Sequence, residues 1–194
     1  MPKSDLHNSL DIVQRYILAL LGAANKAPVR ERLWLQKELF VLAQQAPKLG
    51  DACGFSAHLQ GPFSDSADEA LKDLKNLGLV DYDSYGANIR LTNAGINEHE
   101  DLVKRMPADV RDRVEDIKEF LNDLTENELL VFVYFSYPDM TQESVLTDVV
   151  EKNRMRCSVT LYKKAKVSLE KAAQLSGLHI VEFCKLVGGG GHST

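Results

Sequence analysis

The nucleophiles and general bases of this chain are few and far apart. Cys53, Cys157 and Cys184, and the histidines His7, His58, His99, His179 and His192, never fall at zinc-ligand spacing, so no metal site is expected. His179 and Cys184 are five positions apart, roughly 140° around a helix, and so lie on different faces. Cys53 near His58 reads as a core thiol beside a surface imidazole. The glycine cluster runs from Gly188 to Gly191, and no phosphate-cradling loop or dinucleotide fingerprint occurs elsewhere. No catalytic residue and no cofactor is expected, which leaves binding as the chemistry to look for.

Charge is the first guide to binding. The formal net charge is -5, but it is unevenly spread. Residues 1–100 carry 10 basic and 13 acidic side chains, 101–150 carry 5 and 12, and 151–194 carry 8 and 3. Lys152, Arg154, Arg156, Lys163, Lys164, Lys166 and Lys171 fall within 20 residues, opposed there only by Glu170. Lys163, Lys164, Lys166 and Lys171 are the candidate phosphate contacts. The competing reading is a solvated helix face whose lysines pair with acids of the 101–150 region.

One stretch has a recognisable binding pattern. In Ser168 to Leu186, small Ala173 is followed four positions later by Gly177, and Phe183 and Leu186 supply the apolar face of a second helix. That is a helix-turn-helix pattern, in which the small residue permits close approach and glycine takes the turn. Its second helix would bring His179 and Lys185 toward a DNA groove. With Ile180 and Glu182 beside them, these are poor base readers. The competing reading is a single short helix capped by Gly177.

Elements must position these residues. Apolar positions from Leu10 to Leu21 recur at helical spacing and stop at Gly22. A second helix follows Pro28, with Leu35, Leu39, Leu42 and Ala43 on one face and Pro47 beyond its end. The turn Gly61, Pro62, Phe63, Ser64 leads to a third helix, capped by Ser64 and closed at Gly78. That helix presents Asp65, Asp68, Glu69 and Asp73 against Lys72 and Lys75, which would repel phosphate. Two short extended runs around the turn at 83–86 predict a β-hairpin. Three helices and a hairpin are the order of a winged helix-turn-helix unit. A helix is expected to start near Thr92, another to run through Val110, Val114, Ile117, Phe120 and Leu121, and a capping box at Thr125 to Glu128 to open a third. The run Leu129 to Phe135 is apolar all round, so it should be buried as a bridge between modules or a dimer seam, ending at Tyr137 and Pro138.

Two stretches resemble known families. Leu33 to Ala43, the Gly61, Pro62, Phe63, Ser64 turn, and Leu74 to Val80 resemble the Panacea-type (SocA-like) domain of prokaryotic antitoxins and phage-associated proteins. Val167 to Val187 is similar to the helix-turn-helix of a small prokaryotic family of uncharacterised predicted antitoxins, with Ala172 and Ala173, Gly177 and Leu178, and Glu182 and Phe183 at the matching positions. The resemblance implies regulator or antitoxin biology and covers about half of the chain.

The fold expected is therefore mainly α with a small β-hairpin: a winged helix-turn-helix unit at 1–104, a helical bundle at 105–187 ending in the helix-turn-helix of 166–187, and a flexible tail at 188–194. The function expected is that of a DNA-binding regulator or antitoxin-like protein, with duplex DNA or a toxin-like protein as partner. The alternative is a non-catalytic adaptor holding a basic partner on the acids between Asp101 and Asp123, among them Asp112, Glu115, Asp116 and Glu119. A homodimer is expected by analogy with other helix-turn-helix proteins. Leu129 to Phe135 is far short of the roughly 20 apolar residues of a membrane span, and Met1 to Asp5 has no apolar run behind it, so the cytoplasm is the expected location.

Overall fold

The structure is a computed structural model and describes residues 9–83 and 87–188. It is mainly helical, with a small three-stranded antiparallel sheet, and divides into two compact units. The first unit combines the chain up to Ser56 with Pro62–Asp123, and the second combines Ala57–Gly61 with the chain from Leu124 on.

In the first unit, α1 (Ile12–Lys26) is opened by Asp11, whose side chain accepts from the Gln14 amide while Gln14 reaches back to the Asp11 amide. Regular helix ends at Gly22, as the sequence indicates. Ala24, Asn25 and Lys26 all have positive φ, so the chain leaves through a left-handed turn. A short strand not evident in the sequence, β1 (Val29–Arg30), leads to α2 (Glu31–Ala43). Far from burying one face only, α2 is enclosed from Trp34 to Ala43 and forms the central rod of the unit. Pro47 does not merely follow α2 but opens a further helix, α3 (Pro47–Cys53), closed by left-handed Gly54.

Ser64 caps α4 (Asp65–Asn76) by accepting from the Ala67 amide. Strands β2 (Val80–Tyr82) and β3 (Asn88–Leu91) pair with Val80 opposite Leu91 and Tyr82 opposite Ile89. Their turn includes residues 84–86, which lie outside the described residues. The sheet order is β1-β3-β2, with Val29 opposite Ile89. Thr92 caps α5 (Asn93–Arg105), and α6 (Ala108–Asn122) follows Pro107.

The expected boundary at 104–105 is displaced to 123–124, because α6 packs on α1 and α2 through Val114, Ile117 and Leu121. The Asn122 amide also donates to the Pro28 carbonyl, and Arg30 donates to the Asn122 carbonyl.

The second unit opens with the predicted capping box, Thr125 with Glu128, on α7 (Glu126–Ser136). Tyr137 closes this helix, and Pro138 starts a 3₁₀ turn to Met140. The basic segment then forms a long helix, α8 (Thr147–Lys163), for which the sequence offered only the competing reading of a solvated helix face and no bounds. It is followed by α9 (Leu169–Ser176) and α10 (Ile180–Gly188). Leu129, Leu130, Val131, Val133 and Tyr134 are buried, and α7 packs on α8 and α9 of the same unit. That burial accounts for the apolar run without a bridge or a seam. Gly188 belongs to α10 rather than to a tail, and residues 189–194 lie outside the described residues. Among the described residues no helix is long and apolar enough to cross a membrane.

Candidate functional site

The helix pair α9 and α10 of the second unit is built as a chain of caps. Ser168 accepts from the Lys171 amide to open α9, and the Ser176 hydroxyl donates to the Ala173 carbonyl near its end. Gly177 then turns with φ 77°, a left-handed conformation that a Cβ resists. His179 opens α10: its Nδ1 accepts from the Val181 amide, and its own amide donates to Glu182 at 3.3 Å. Phe183 inserts fully between the helices over Ala172 and Ala173, and its ring meets Tyr162 edge to face at 5.9 Å. The small residues and the glycine therefore hold the places that the sequence assigns them.

Arg154 on α8 locks this turn, a role that sequence reasoning missed. Its Nε donates to the Leu175 carbonyl at 2.7 Å, and its guanidinium lies 3.8 Å from the centre of the Phe135 ring. A Cβ on Gly177 would strike that guanidinium. Gly177 is thus required by both its backbone angle and its neighbour.

The proposed phosphate contacts divide into two groups. Lys164 folds back on buried Glu128, its Nζ 2.8 and 3.1 Å from the two carboxylate oxygens. Burial pushes the Glu128 carboxyl upward, but the hydrogen bonds from Lys164 and Thr125 outweigh it and hold the group below its ordinary range. Lys171 donates to Gln174 and sits 5.6 Å over the Phe132 ring, and burial lowers its pKa. Lys164 thus joins the end of α8 to α7, and Lys171 lies from α9 over a ring of α7. Lys163 is exposed, Lys166 is partly covered, and Lys185 and His179 are exposed on α10. Lys152, Arg156 and Lys163 stand at i, i+4 and i+11 of α8 and share one exposed face, within about 40° of arc.

In the first unit Pro62, Phe63 and Ser64 of the Gly61 to Ser64 motif are clasped by α2. The Gln36 amide pairs with the Ser64 backbone at 3.0 Å in both directions, and the Lys37 Nζ donates to the Pro62 carbonyl at 2.9 Å. The Ser64 hydroxyl donates to the Cys53 carbonyl. Two of the three stretches that carry the first resemblance are therefore in direct contact.

Burial lowers the Lys37 pKa to about 7. Next to it, Glu38 and Lys118 of α6 are fully enclosed with Nζ 3.9 Å from the carboxylate, and burial pushes Glu38 up and Lys118 down. Gln36, Lys37, Glu38 and Lys118 give no sequence signal as a group, because only the fold encloses α2 on every side.

Sequence reasoning counted Asp68 among the exposed acids of α4, but it is buried and paired with Arg32 and Lys72. Asp65, Glu69 and Asp73 remain as an exposed acidic stripe at i, i+4 and i+8. On α6, Asp112, Asp116 and Glu119 are exposed, whereas Glu115 turns inward to accept from the Ala24 amide at 2.8 Å. Cys53 is buried and His58 exposed, and among the described residues no group of His, Cys, Asp or Glu is arranged to hold a metal ion.

Taken together, the geometry defines a two-unit, mainly helical protein whose exposed charges lie on separate helix faces. Comparison with protein-family models, with curated proteins and with solved structures gave no match.

Proposed function

We propose that the chain is a non-catalytic prokaryotic regulator of the antitoxin-like kind, which engages duplex DNA through its second unit. The observation that carries this reading is the capped α9, Gly177, α10 arrangement beside the cationic face of α8. The first unit supports it by element order, since α1, β1, α2, α4, β2 and β3 with sheet order β1-β3-β2 follow a winged helix-turn-helix. Its acidic α4 would repel phosphate, so the DNA contact belongs to the second unit. There Lys152, Arg156 and Lys163, with Lys166 and Lys185, supply the phosphate contacts, and His179 acts through the helix end it caps. Lys164 and Lys171 act on stability instead.

The test is binding to a mixed duplex DNA pool over a range of salt. Binding that weakens steeply with salt is expected, and the triple change Lys152→Glu, Arg156→Glu, Lys163→Glu should abolish it; replacing each by Gln should reduce the salt slope by about three units. Unchanged affinity in the triple variant would overturn the assignment.

A second reading is favoured by α6, whose exposed Asp112, Asp116 and Glu119 stand at i, i+4 and i+7 and form no ion pair among the described residues. In it the protein holds a basic partner chain on that face without touching DNA. An oligolysine peptide retained by the parent and released by Asp112→Asn, Asp116→Asn, Glu119→Gln, together with no DNA binding at low salt, would establish it.

A further inference from the structure

Two exposed helix faces carry rows of like charge, one acidic and one basic. On α4, Asp65, Glu69 and Asp73 recur at every fourth position, and the exposed Leu77 follows four positions on, at the helix end. Like charges one turn apart repel, and Asp73 stands in the last turn, where the helix dipole disfavours a carboxylate. Lys72, beside the row, is held by Asp68. On α8, Lys152, Arg156 and Lys163 share a face with the exposed Val149, within about 60° of arc, while Asp148 and Met155 lie outside it. Among the described residues none of these six charged side chains of the two rows joins a salt bridge.

The two rows match in order and in length. At about 1.5 Å per residue, Asp73, Glu69 and Asp65 stand about 6, 12 and 18 Å along the axis from Leu77, and Lys152, Arg156 and Lys163 about 4.5, 10.5 and 21 Å from Val149. With the helices antiparallel and Leu77 on Val149, each carboxylate meets a cation within about 3 Å of axial offset, which the long lysine and arginine stems absorb. Leu77 and Val149 are 47% and 49% exposed, so the contact also takes two large apolar side chains out of water. The acids of α6 lack this second component, since among the described residues no large apolar side chain of that helix is exposed.

We propose that α4 of one copy docks antiparallel on α8 of a second copy, with Leu77 against Val149, and with Asp73, Glu69 and Asp65 against Lys152, Arg156 and Lys163. Both halves of the contact are present on every chain, so no partner of other sequence is needed. Surface ion pairs are individually weak and are screened by salt, so the association is weak, transient and salt-sensitive. It occupies the cationic face that the DNA reading assigns to phosphate, with the carboxylates of α4 in place of phosphates, so DNA and self-association compete. Only that competition rests on the DNA reading, and the association itself is measured on the protein alone.

The experiment is sedimentation of the full chain from about 10 µM to about 1 mM, at about 0.01 M and about 1 M salt. The average mass is expected to rise with concentration at low salt, and the rise to vanish at high salt. Two variants separate the faces: Asp65→Lys, Glu69→Lys, Asp73→Lys on α4, and Lys152→Glu, Arg156→Glu, Lys163→Glu on α8. Each alone should stay monomeric, whereas an equimolar mixture should associate, because one variant keeps the native α8 and the other the native α4. Glu69→Gln with Asp73→Asn, a milder change at exposed positions, should weaken the association about tenfold. A parent that stays monomeric at low salt would overturn the proposal, and DNA binding by that monomer would leave the DNA reading standing. Association that persists in either variant alone, a mixture that stays monomeric although both variants unfold at the parent's temperature, or unchanged association in the milder variant would overturn it as well.

Discussion

Gln36, Lys37 and Glu38 sit on one turn of α2, and each meets burial differently. Gln36 is satisfied by a backbone it imitates and Lys37 by one carbonyl and a lowered pKa, whereas the Glu38 carboxylate oxygens receive no hydrogen bond and have only the charges of Lys118, 3.9 Å away, and of Arg30. Lys37 gives a pH dependence whose sign is fixed. The folded chain holds it near 7 while the unfolded lysine keeps its ordinary 10.5, so the unfolded state binds the extra proton between these values. Stability therefore rises with pH in that window, by up to about 1.4 kcal/mol per pH unit. Glu38, raised to about 8, pulls the other way in part of this window, so the test is the difference in urea unfolding free energy between the parent and Lys37→Met, which should rise from about pH 7.5 to about pH 8.5; a difference that does not change with pH would mean that Lys37 stays charged when folded. The Glu38 and Lys118 pair predicts non-additivity. Lys118→Met should cost about 3–5 kcal/mol by stranding the carboxyl, whereas Glu38→Leu with Lys118→Met should return to within about 1 kcal/mol of the parent. A double variant as damaged as the sum of the singles would show that the two do not act as a unit.

At the scale of elements, the parts that were legible in the sequence are those with local signals. Ser64, Thr92, Thr125 and Ser168 mark helix starts because a side-chain oxygen within three residues satisfies an orphan amide. Gly177 marks a turn because its left-handed φ is one that residues with a Cβ resist. α8 was not legible: its hydrophobic and charged residues do not separate cleanly, and it is a helix because α7 and α9 cover Val150, Cys157 and Leu161. β1 escaped for the opposite reason, being two residues that become a strand only where β3 lies alongside. The candidate site was half legible. The sequence marks the turn and its small residues, and its competing reading has the lysines pair with acids of 101–150, as Lys164 does with Glu128, but which lysine pairs was not legible because the contact spans 36 positions. The turn itself supplies a prediction. Gly177→Ala should cost about 1–2 kcal/mol from its left-handed backbone alone, and more from displacing Arg154. Thermal unfolding with and without Arg154→Gln separates the two, because in the Arg154→Gln background only the backbone part should remain.

For the whole molecule, the informative feature is the five-residue segment Ala57–Gly61. Ser56 and Phe63 pair across it through two 3.0 Å backbone bonds in the first unit, while the segment itself counts with the second. Its anchor is the Leu59 carbonyl, which accepts from the Val145 amide and from the Ser144 hydroxyl. Ser144 also meets the Tyr134 hydroxyl at 2.5 Å and accepts from the Leu146 amide. Ser144→Ala should therefore cost about 1–2 kcal/mol and speed proteolysis between Ala57 and Gly61. A stable variant with an unchanged cleavage rate would mean that the Val145 amide suffices. The same topology sets a clock during synthesis. Leu59 leaves the ribosome long before Val145 exists, and at roughly 5–20 residues per second the segment waits some 4–17 s for its partner. The first unit must fold around a strap whose other end has not yet been made. The Leu59 side chain is exposed even in the folded chain, so what arrest before residue 145 removes is the hold on its carbonyl, and such a nascent chain should be cleaved between Ala57 and Gly61 faster than the full chain.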